Sequence, residues 1–243
     1  MYCQPFVSMP VYNWLKSDQS CLLCDEASGN PYGLCEACEC ELPWLDEQCT
    51  VCALPLAMSG FTCAPCRRRP PAFEKVETPW HYGFPIDSLI TRFKHNSQWP
   101  YGRLLAELAS HWLDHRFNEG LARPQLLIPV PMGRKRLRRR GFNQAEMLAR
   151  WLSKALHIDC DSTLVQRPRE TQAQQELGAR ERLHNLQQAF SLLPDARLEG
   201  LHVALVDDVM TTGATAQALA TLLREGGAAR VDVYCLARTA KPE

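Results

Sequence analysis

Strand-like and helical patterns alternate along the chain from Thr78 to its end. Apolar runs of strand length occur at Trp80 to Phe84, Leu126 to Val130, around Leu164, His202 to Val206 and Val231 to Leu236. Helical patterns cover Ile86 to Phe117 with a break near Pro100, Asn143 to His157, and Thr215 to Glu225, while the segment up to Phe190 is mixed. This alternation predicts an α/β fold, a parallel sheet with right-handed crossovers and helices on both faces.

The first 70 residues lack such a pattern and hold most of the cysteines. Ten of the 12 cysteines precede residue 67, in a segment that Gly, Pro and Asp interrupt repeatedly. A segment of this kind cannot form a core alone and needs an external staple. The stiff, polar run from Arg67 to Pro71 follows it, so we predict two domains, residues 1–70 and 71–243.

Eight of these cysteines form four Cys-x-x-Cys pairs with repeated spacing. The pairs are Cys21 and Cys24, Cys35 and Cys38, Cys49 and Cys52, and Cys63 and Cys66. Ten residues separate the first pair from the second, and ten separate the third from the fourth. Two such turns supply the four thiolates of a closed tetrahedral zinc site, so the pattern predicts a small double zinc ribbon with two structural zincs. Redox or disulfide pairs are the weaker interpretation. Sequential pairing is favoured over an interleaved one by the repeat, and Cys40 is near enough to compete.

The charge balance does not indicate a binding partner, but the lack of targeting signals indicates a cellular compartment. Lys plus Arg and Asp plus Glu both total 27, so any basic surface must come from local clusters. One cluster is Arg67 to Arg69, and a larger one runs from Arg134 to Arg140. The start of the chain lacks a signal-peptide pattern and no apolar run of about 20 residues follows. We expect a cytoplasmic protein without membrane insertion, a compartment that favours metal binding over disulfides.

An acidic pair and a hydroxyl-rich glycine turn follow the apolar run that ends at Val206. The residues are Asp207, Asp208, Val209, Met210, Thr211, Thr212, Gly213, Ala214 and Thr215, and a helical pattern comes next. Ligands of open α/β sheets bind where strands end, and the N–H groups of a following helix attract phosphate. The two carboxylates suit ribose hydroxyls, with the 5-phosphate in the turn. The alternative is a helix cap beside a solvated acidic pair, which the whole pattern makes less favourable.

At these residues the chain resembles the type I phosphoribosyltransferases, whose signature is a strand, an acidic pair and a phosphate loop. A narrower resemblance, to the ComF/GntX family, rests on four features: Val206 to Thr215; Ile128 to Pro131 followed by Arg140-Gly141-Phe142-Asn143-Gln144; Arg167, Thr171 and Gln174; and the N-terminal Cys pairs. It implies a type I phosphoribosyltransferase-like domain behind a double zinc ribbon. It also implies a role in competence, DNA uptake or the use of DNA as a nutrient.

The resemblance also implies further contacts with 5-phosphoribosyl-1-pyrophosphate. By order and composition, the pyrophosphate loop is Val130 to Arg134, including Pro131 and Met132, with Arg140 beyond it. Lys94 looks like a pyrophosphate contact, and Arg167, Thr171 and Gln174 fit a mobile loop that closes over substrate. For a lone lysine or one arginine of a basic run, solvent exposure is the competing interpretation.

Two functions follow as expectations. In the first, the protein is a phosphoribosyltransferase in which Asp207 and Asp208 are catalytic, magnesium accompanies the pyrophosphate, and an acceptor attacks C1 of the ribose. No motif specifies the acceptor. In the second, the protein is a non-catalytic module that binds single-stranded DNA or a competence helicase or translocase, and the phosphoribosyl site senses its ligand. The basic run and the ribbons fit the second equally well.

Overall fold

The computed structural model describes residues 19–96, 98–168 and 188–240. Two compact units, Met1–Glu41 and Leu42–Glu243, divide the chain. In the smaller unit, α1 (Glu36–Cys40) follows a turn region, and Cys21 and Leu34 are the buried apolar side chains among residues 19–41. So small a core agrees with the expectation that this segment needs a metal staple.

The larger unit is built on a parallel sheet of six strands. Its elements, in chain order, are α2 (Ala64–Arg68), β1 (Lys75–Glu77), β2 (Trp80–His81), α3 (Ile86–Asn96), α4 (Trp99–Asn118), β3 (Leu126–Pro129), α5 (Arg134–Arg140), α6 (Gln144–Leu156), β4 (Asp159–Cys160), β5 (Val165–Gln166), β6 (Ser191–Leu192), β7 (His202–Met210), α7 (Ala214–Glu225) and β8 (Arg230–Arg238). The strand order is β1-β8-β7-β3-β4, and β2 pairs with β8 beyond β1. The two long strands, β7 and β8, therefore lie at the centre.

Both faces of the sheet are covered, as its apolar strands require. On one face, α4 and α6 pack together and enclose a small cavity with Val206, Tyr234 and Leu236. On the other, α7 and the second cysteine group, Cys49 to Cys66, share one buried cluster with β3, β7 and β8. The predicted α/β class with helices on both faces is confirmed. The larger unit thus contains the second cysteine group together with the sheet, and the division at residue 70 stays a prediction.

Several elements differ from the sequence expectation. β7 continues through the acidic pair to Met210, because β8 pairs with it as far as Arg238. The basic run forms a helix, α5, that ends at Arg140 and is capped by Gly141 in the left-handed conformation. The strand expected around Leu164 is β5, which pairs antiparallel with β6 outside the main sheet.

The break in the long helical pattern is confirmed at its predicted place. Helix α3 ends at Asn96, and α4 begins at Trp99 with Pro100 in its first turn, where a missing N–H costs least. Among the described residues, no helix combines the length and the hydropathy needed to cross a membrane.

Candidate functional site

The acidic pair lies at the carboxyl end of the central strand β7. Asp207 pairs in register with Cys235 of β8, and both Asp207 and Asp208 are partly buried. The backbone N–H of Asp208 donates to Oδ1 of Asp207 at 2.8 Å. One carboxylate is thereby fixed by its neighbour's backbone, so the two side chains are held rather than solvated freely.

The turn after β7 is shaped for a close backbone approach. Thr211 and Thr212 are exposed, and Gly213 caps α7 with a φ of 77°. A Cβ atom at Gly213 would lie 2.6 Å from Cε of Met210, so both the backbone conformation and the space favour glycine. Beyond it, the first turn of α7 presents N–H groups that have no partner within the helix. These are suitable donors for an anion.

Lys94 reaches the acidic pair from a different part of the chain. Leu89, Ile90 and Phe93 are buried on α3, as their spacing predicted, and Lys94 follows them. Its Nζ lies 2.9 Å from Oδ1 of Asp208, with the two side chains only 18% and 14% exposed. The sequence placed Lys94 at the site as a pyrophosphate contact, and the structure shows it paired with a carboxylate.

The surroundings of Asp207 favour the protonated form of its carboxyl group. Burial and, after it, the neighbouring charge of Asp208 raise the pKa of Asp207 to about 7. The hydrogen bond from the Asp208 backbone and the charges of Lys94 and Arg136 oppose this rise. A carboxyl group with this pKa changes its charge near neutral pH, where a ligand that brings cations would draw it towards the carboxylate.

The expected pyrophosphate loop lies directly beside this strand end. Val130 donates its backbone N–H to the carbonyl of Val206 at 2.9 Å, which aligns the residues after β3 with those before the acidic pair. Pro131 and Met132 are partly exposed, Gly133 is buried, and Arg134 begins α5. No residue of α5 is buried, so most of its cations point outward.

Asn143 and Gln144 connect this loop with Lys94, a role that the sequence did not reveal. Asn143 donates from Nδ2 to the carbonyl of Val130 at 3.0 Å, and its Oδ1 accepts from the N–H of Ala145 as the cap of α6. The buried Gln144 places Nε2 3.5 Å from the carbonyl of Lys94. The available signal was an Asn before a helical pattern, which indicates a cap, but not the second contact.

Arg140 differs from the other cations of the basic run. Its Nη1 donates to Oε1 of Gln144 at 3.2 Å, while its buried Nε has no partner within the described residues. Burial, followed by the repulsion of Arg136, lowers the pKa of Arg140, and the attraction of Asp208 opposes that change. Arg140 is therefore the least exposed cation of this run, it is attracted by Asp208, and its Nε donor stays available for a ligand.

Three predicted residues of the closing loop are only partly described. The guanidinium of Arg167 lies 5.3 Å from the centre of the Phe190 ring. Thr171 and Gln174 lie outside the described residues. Whether these three residues approach the acidic pair stays a prediction.

The eight paired cysteines gather into two groups with the sequential arrangement. Cys21, Cys24, Cys35 and Cys38 form one, and Cys49, Cys52, Cys63 and Cys66 the other, with all sulfurs of a group within 4.8 Å of one another. The Sγ atoms of Cys24 and Cys35 are 3.7 Å apart, and those of Cys52 and Cys63 are 3.6 Å apart. Tetrahedral thiolates at about 2.3 Å from zinc are separated by roughly 3.8 Å, so both groups could hold a structural zinc.

Backbone donors lower the pKa of one thiol in each cysteine group. The N–H of Cys63 lies 3.2 Å from Sγ of Cys49. Burial raises the pKa of Cys49, but hydrogen bonds from backbone N–H groups, that of Cys52 first, lower it by more. The net result is a pKa of about 7. The same opposition brings the pKa of Cys21 to about 6. Lowered pKa values favour the thiolates that zinc requires, whereas burial raises the pKa of Cys38, Cys52 and Cys66 in the same groups.

The chain is similar to one known domain family and to named DNA utilization and competence proteins. The phosphoribosyl transferase domain family matches residues 137–243. DNA utilization protein YhgH of Escherichia coli K12 is 37% identical over 86% of this chain and 91% of its own length, and competence protein F of Haemophilus influenzae is 36% identical over 85% and 90%. Competence protein ComFC of Bacillus subtilis is 35% identical over 47% of this chain and 45% of its own.

Proposed function

Since this chain belongs to the ComF/GntX family of DNA utilization and competence proteins, we propose that it binds 5-phosphoribosyl-1-pyrophosphate at the end of β7 and acts in the uptake or use of DNA. The observation that carries the proposal is the meeting of three separate segments at this strand end. Asp207 and Asp208 lie beside the loop of Val130 to Arg134 and within reach of Lys94. The acidic pair, the expected pyrophosphate loop and Lys94 are therefore neighbours at one edge of the sheet.

The ribose and its 5-phosphate occupy the β7 end of the site. The carboxylates of Asp207 and Asp208 accept hydrogen bonds from the 2- and 3-hydroxyls, since acids favour a neutral polyol over an anion. The turn from Thr211 to Thr215 receives the 5-phosphate through hydroxyl groups and the N–H groups at the start of α7. Charge-assisted and backbone hydrogen bonds of this kind fix orientation as well as affinity.

The pyrophosphate occupies the side of the β3 loop. Backbone groups of Pro131 to Arg134 face it, and Arg140 brings a guanidinium with an unused Nε donor. When pyrophosphate binds, the ammonium group of Lys94 either leaves Asp208 for the pyrophosphate or contacts both. Because it begins in an ion pair with Asp208, its exchange of partners connects ribose binding with pyrophosphate binding.

Magnesium fits the donor set of this site, because hard carboxylate oxygens stand next to the expected phosphate oxygens. Bound with the pyrophosphate, it supplies charge neutralisation for a departing anion. The chain's own residues hold the ribose, orient C1 and screen the leaving group with Arg140 and Lys94. As a transferase, the protein would form the bond from an acceptor to C1 as the bond to pyrophosphate breaks.

Calorimetric titration with magnesium and 5-phosphoribosyl-1-pyrophosphate tests the binding. Asp207→Asn and Asp208→Asn should each weaken affinity by about one to two decades, and Thr212→Val should cost a phosphate donor without affecting ribose contacts. Asp195→Asn is the matched control, since Asp195 is exposed and precedes the opposite end of β7. Equal affinity in all four variants and the unaltered protein would refute the site.

Turnover distinguishes an enzyme from a ligand sensor. The full chain, magnesium and 5-phosphoribosyl-1-pyrophosphate are incubated with a panel of nucleobases, and pyrophosphate release is followed. Release that depends on one base, and that Asp208→Asn abolishes, supports the transferase. Binding without release with any base favours the sensor.

A second function, binding of single-stranded DNA, is favoured by the surface around α5. Six of the seven residues of α5 are cationic and none is buried. Trp99 is 54% exposed, and its ring centre lies 6.5 Å from that of Phe142, which follows Gly141 at the end of α5. Cations beside an exposed aromatic ring are the combination that holds a single strand, through phosphate contacts and base stacking.

Fluorescence anisotropy with a labelled oligonucleotide tests this second function. Arg136→Glu with Arg139→Glu should weaken binding and reduce the dependence of log affinity on log salt by at least about 1.4, because each lost phosphate contact on a single strand contributes about 0.7. Arg67→Glu with Arg68→Glu, at exposed positions of α2, is the charge-matched control. Equal losses in the two variants would show a nonspecific charge effect.

A further inference from the structure

A buried arginine, Arg238, joins the second cysteine group to the start of the phosphate turn, the segment from Thr211 to Thr215 that leads into α7. It is the last residue of β8 and only 5% exposed. Its Nε donates to the carbonyl of Cys52 at 3.1 Å. Its Nη1 donates to the carbonyls of Met210 at 3.1 Å, Thr211, and Thr239 at 2.9 Å. One guanidinium therefore spans the cysteine turn and the phosphate turn.

These partners are unusual for a buried cation. Every hydrogen bond that the structure gives Arg238 goes to a carbonyl oxygen, and no carboxylate among the described residues forms an ion pair with it. Carbonyl dipoles only partly compensate a buried charge. Two anions would complete the compensation: a zinc tetrathiolate, whose net charge is negative, and a phosphate in the turn of Thr211 to Thr215.

Both turns contribute backbone carbonyls to this bridge. Cys52 is the last residue of a Cys-x-x-Cys turn, and its carbonyl accepts from Arg238 of β8. The preceding residue, Val51, is held by β1, because its carbonyl accepts the N–H of Val76. Met210 and Thr211 lead into the phosphate turn, and Arg238 holds their carbonyls. In a trans peptide the C=O and the next N–H point in opposite directions, so the N–H groups of Thr211 and Thr212 face away from Arg238, where a ligand can reach them. If the cysteine turn relaxes, Nε loses its acceptor in a buried place, and the guanidinium must move to find another.

We propose that Arg238 is a positioning residue through which metal in the second cysteine group orders the phosphate turn. By linkage, an anion bound in the turn stabilises the metal in return. The part of this inference that concerns the phosphate ligand rests on the proposed function, and the part that joins metal to turn does not. The second zinc group is then a support for the ligand site, which goes beyond holding its own segment folded.

Hydrogen exchange on the full chain tests the connection without any phosphate ligand. Removal of zinc with a chelator should speed exchange at the amides of Thr211 to Thr215 by roughly fivefold or more, while β3, in the same sheet, changes less. In Arg238→Gln the turn should already exchange fast, and chelation should add little. An unchanged turn in the chelated unaltered protein would overturn the inference, whatever the variant does.

The reciprocal effect is read from cysteine alkylation under chelation, resolved by peptide. Magnesium with 5-phosphoribosyl-1-pyrophosphate should slow modification of Cys49 to Cys66 by roughly fivefold or more. Cys21 to Cys38 serve as an internal reference because they belong to the other compact unit. The slowing should vanish in Arg238→Gln and persist in Arg230→Gln, a matched change at the opposite end of β8.

The two proposals fail in distinguishable ways. Calorimetry that detects no ligand binding refutes the proposed function, and the exchange experiment still decides the role of Arg238. Ligand binding without protection of Cys49 to Cys66 overturns the linkage and leaves the ligand site intact. Arg238→Lys separates charge from geometry: a single ammonium cannot replace the fork, so lysine should restore ligand affinity in part but not the protection.

Discussion

At the residue scale, Asp207 and Asp208 place two carboxyl groups side by side, and each has a partner that holds it there. Asp207 is held by a backbone N–H and Asp208 by Lys94, so each carboxylate has one partner before any ligand arrives. The arrangement is costly for folding because burial and mutual repulsion disfavour two charges. Such a cost at the end of a strand indicates a ligand-binding role.

The raised pKa of Asp207 predicts a pH-dependent stability. The unfolded carboxyl ionises near 3.8, and the folded one at about 7, so the unfolded state loses its proton first and the free energy of unfolding falls between these values. Asp207→Asn removes this loss. At about pH 8 the variant should melt roughly 2 to 4 °C higher, for a gain of order 1 kcal/mol, and at about pH 5 the difference should shrink.

Scanning calorimetry across this range checks the prediction, with Asp195→Asn as control. The control should show the same melting temperature as the unaltered protein at both ends. A gain in Asp207→Asn that is equal at about pH 5 and about pH 8 would contradict the raised pKa.

A double-mutant cycle decides what Lys94 does. If Lys94 only neutralises Asp208, then Lys94→Met should cost ligand affinity in the unaltered protein and nothing in the background of Asp208→Asn. If it also contacts pyrophosphate, Lys94→Met should lower affinity about tenfold in both backgrounds. We expect the second result, because the Lys94 side chain is only 18% exposed and already lies at the acidic pair, where a bound pyrophosphate would attract its charge. Titration calorimetry on the four proteins provides the measurement.

At the element scale, the turn between β7 and α7 is defined by one glycine. Gly213→Ala should destabilise the protein by about 1 to 2 kcal/mol, since alanine at a φ of 77° is strained, and should also abolish phosphate affinity by shifting the turn against Met210. Gly200→Ala is the matched control, with a φ of 72° and open space around its Cβ position. It should lose similar stability and keep full affinity, which denaturation and titration together would show.

Helix α5 shows how an element can be set by its ends. Seven residues rich in like charges repel one another, and helix formation in isolation is unfavourable at this length. The helix follows the loop tied to β7 and ends where Gly141 turns the chain into the Asn143 cap of α6. The contacts that flank α5 therefore hold its cations in place, since no side chain of the helix is buried.

At the scale of the whole molecule, the two cysteine groups have different surroundings. Cys49 to Cys66 lie in the buried cluster that also contains α7 and the central strands, whereas Cys21 to Cys38 lie in the small unit. A structural metal in the second group thus supports the larger unit, and a metal in the first supports a segment with little apolar core.

This difference predicts unequal effects of serine substitution. Cys63→Ser should remove one of about two zincs per chain and lower the melting temperature of the larger unit, because loss of a structural metal ligand in a core is among the large destabilisations. Cys21→Ser should remove the other zinc and leave that melting transition unchanged. Elemental analysis and calorimetry measure both, and zinc near zero in the unaltered, folded protein would refute the metal assignment.

The sequence alone determined the features that depend on neighbouring residues. The Cys-x-x-Cys spacing indicated two groups of four thiols, and the apolar run before Asp207, with Gly213 beyond it, indicated a strand, an acidic pair and a turn that leads into a helix. These features are local: a tight turn fixes the separation of two thiols, and a strand end fixes the position of the residues that follow. Periodicity also placed the break before α4 and the buried face of α3.

Only the tertiary structure decided which distant residues meet. Lys94 pairs with Asp208, Gln144 lies against Lys94, and Arg238 contacts a carbonyl 186 positions away along the chain. A lysine or arginine in a sequence is most often solvated, so no local pattern distinguishes these cations from exposed ones. Their partners are set by the order in which parallel strands assemble, since crossovers bring the carboxyl ends of separate strands to one edge.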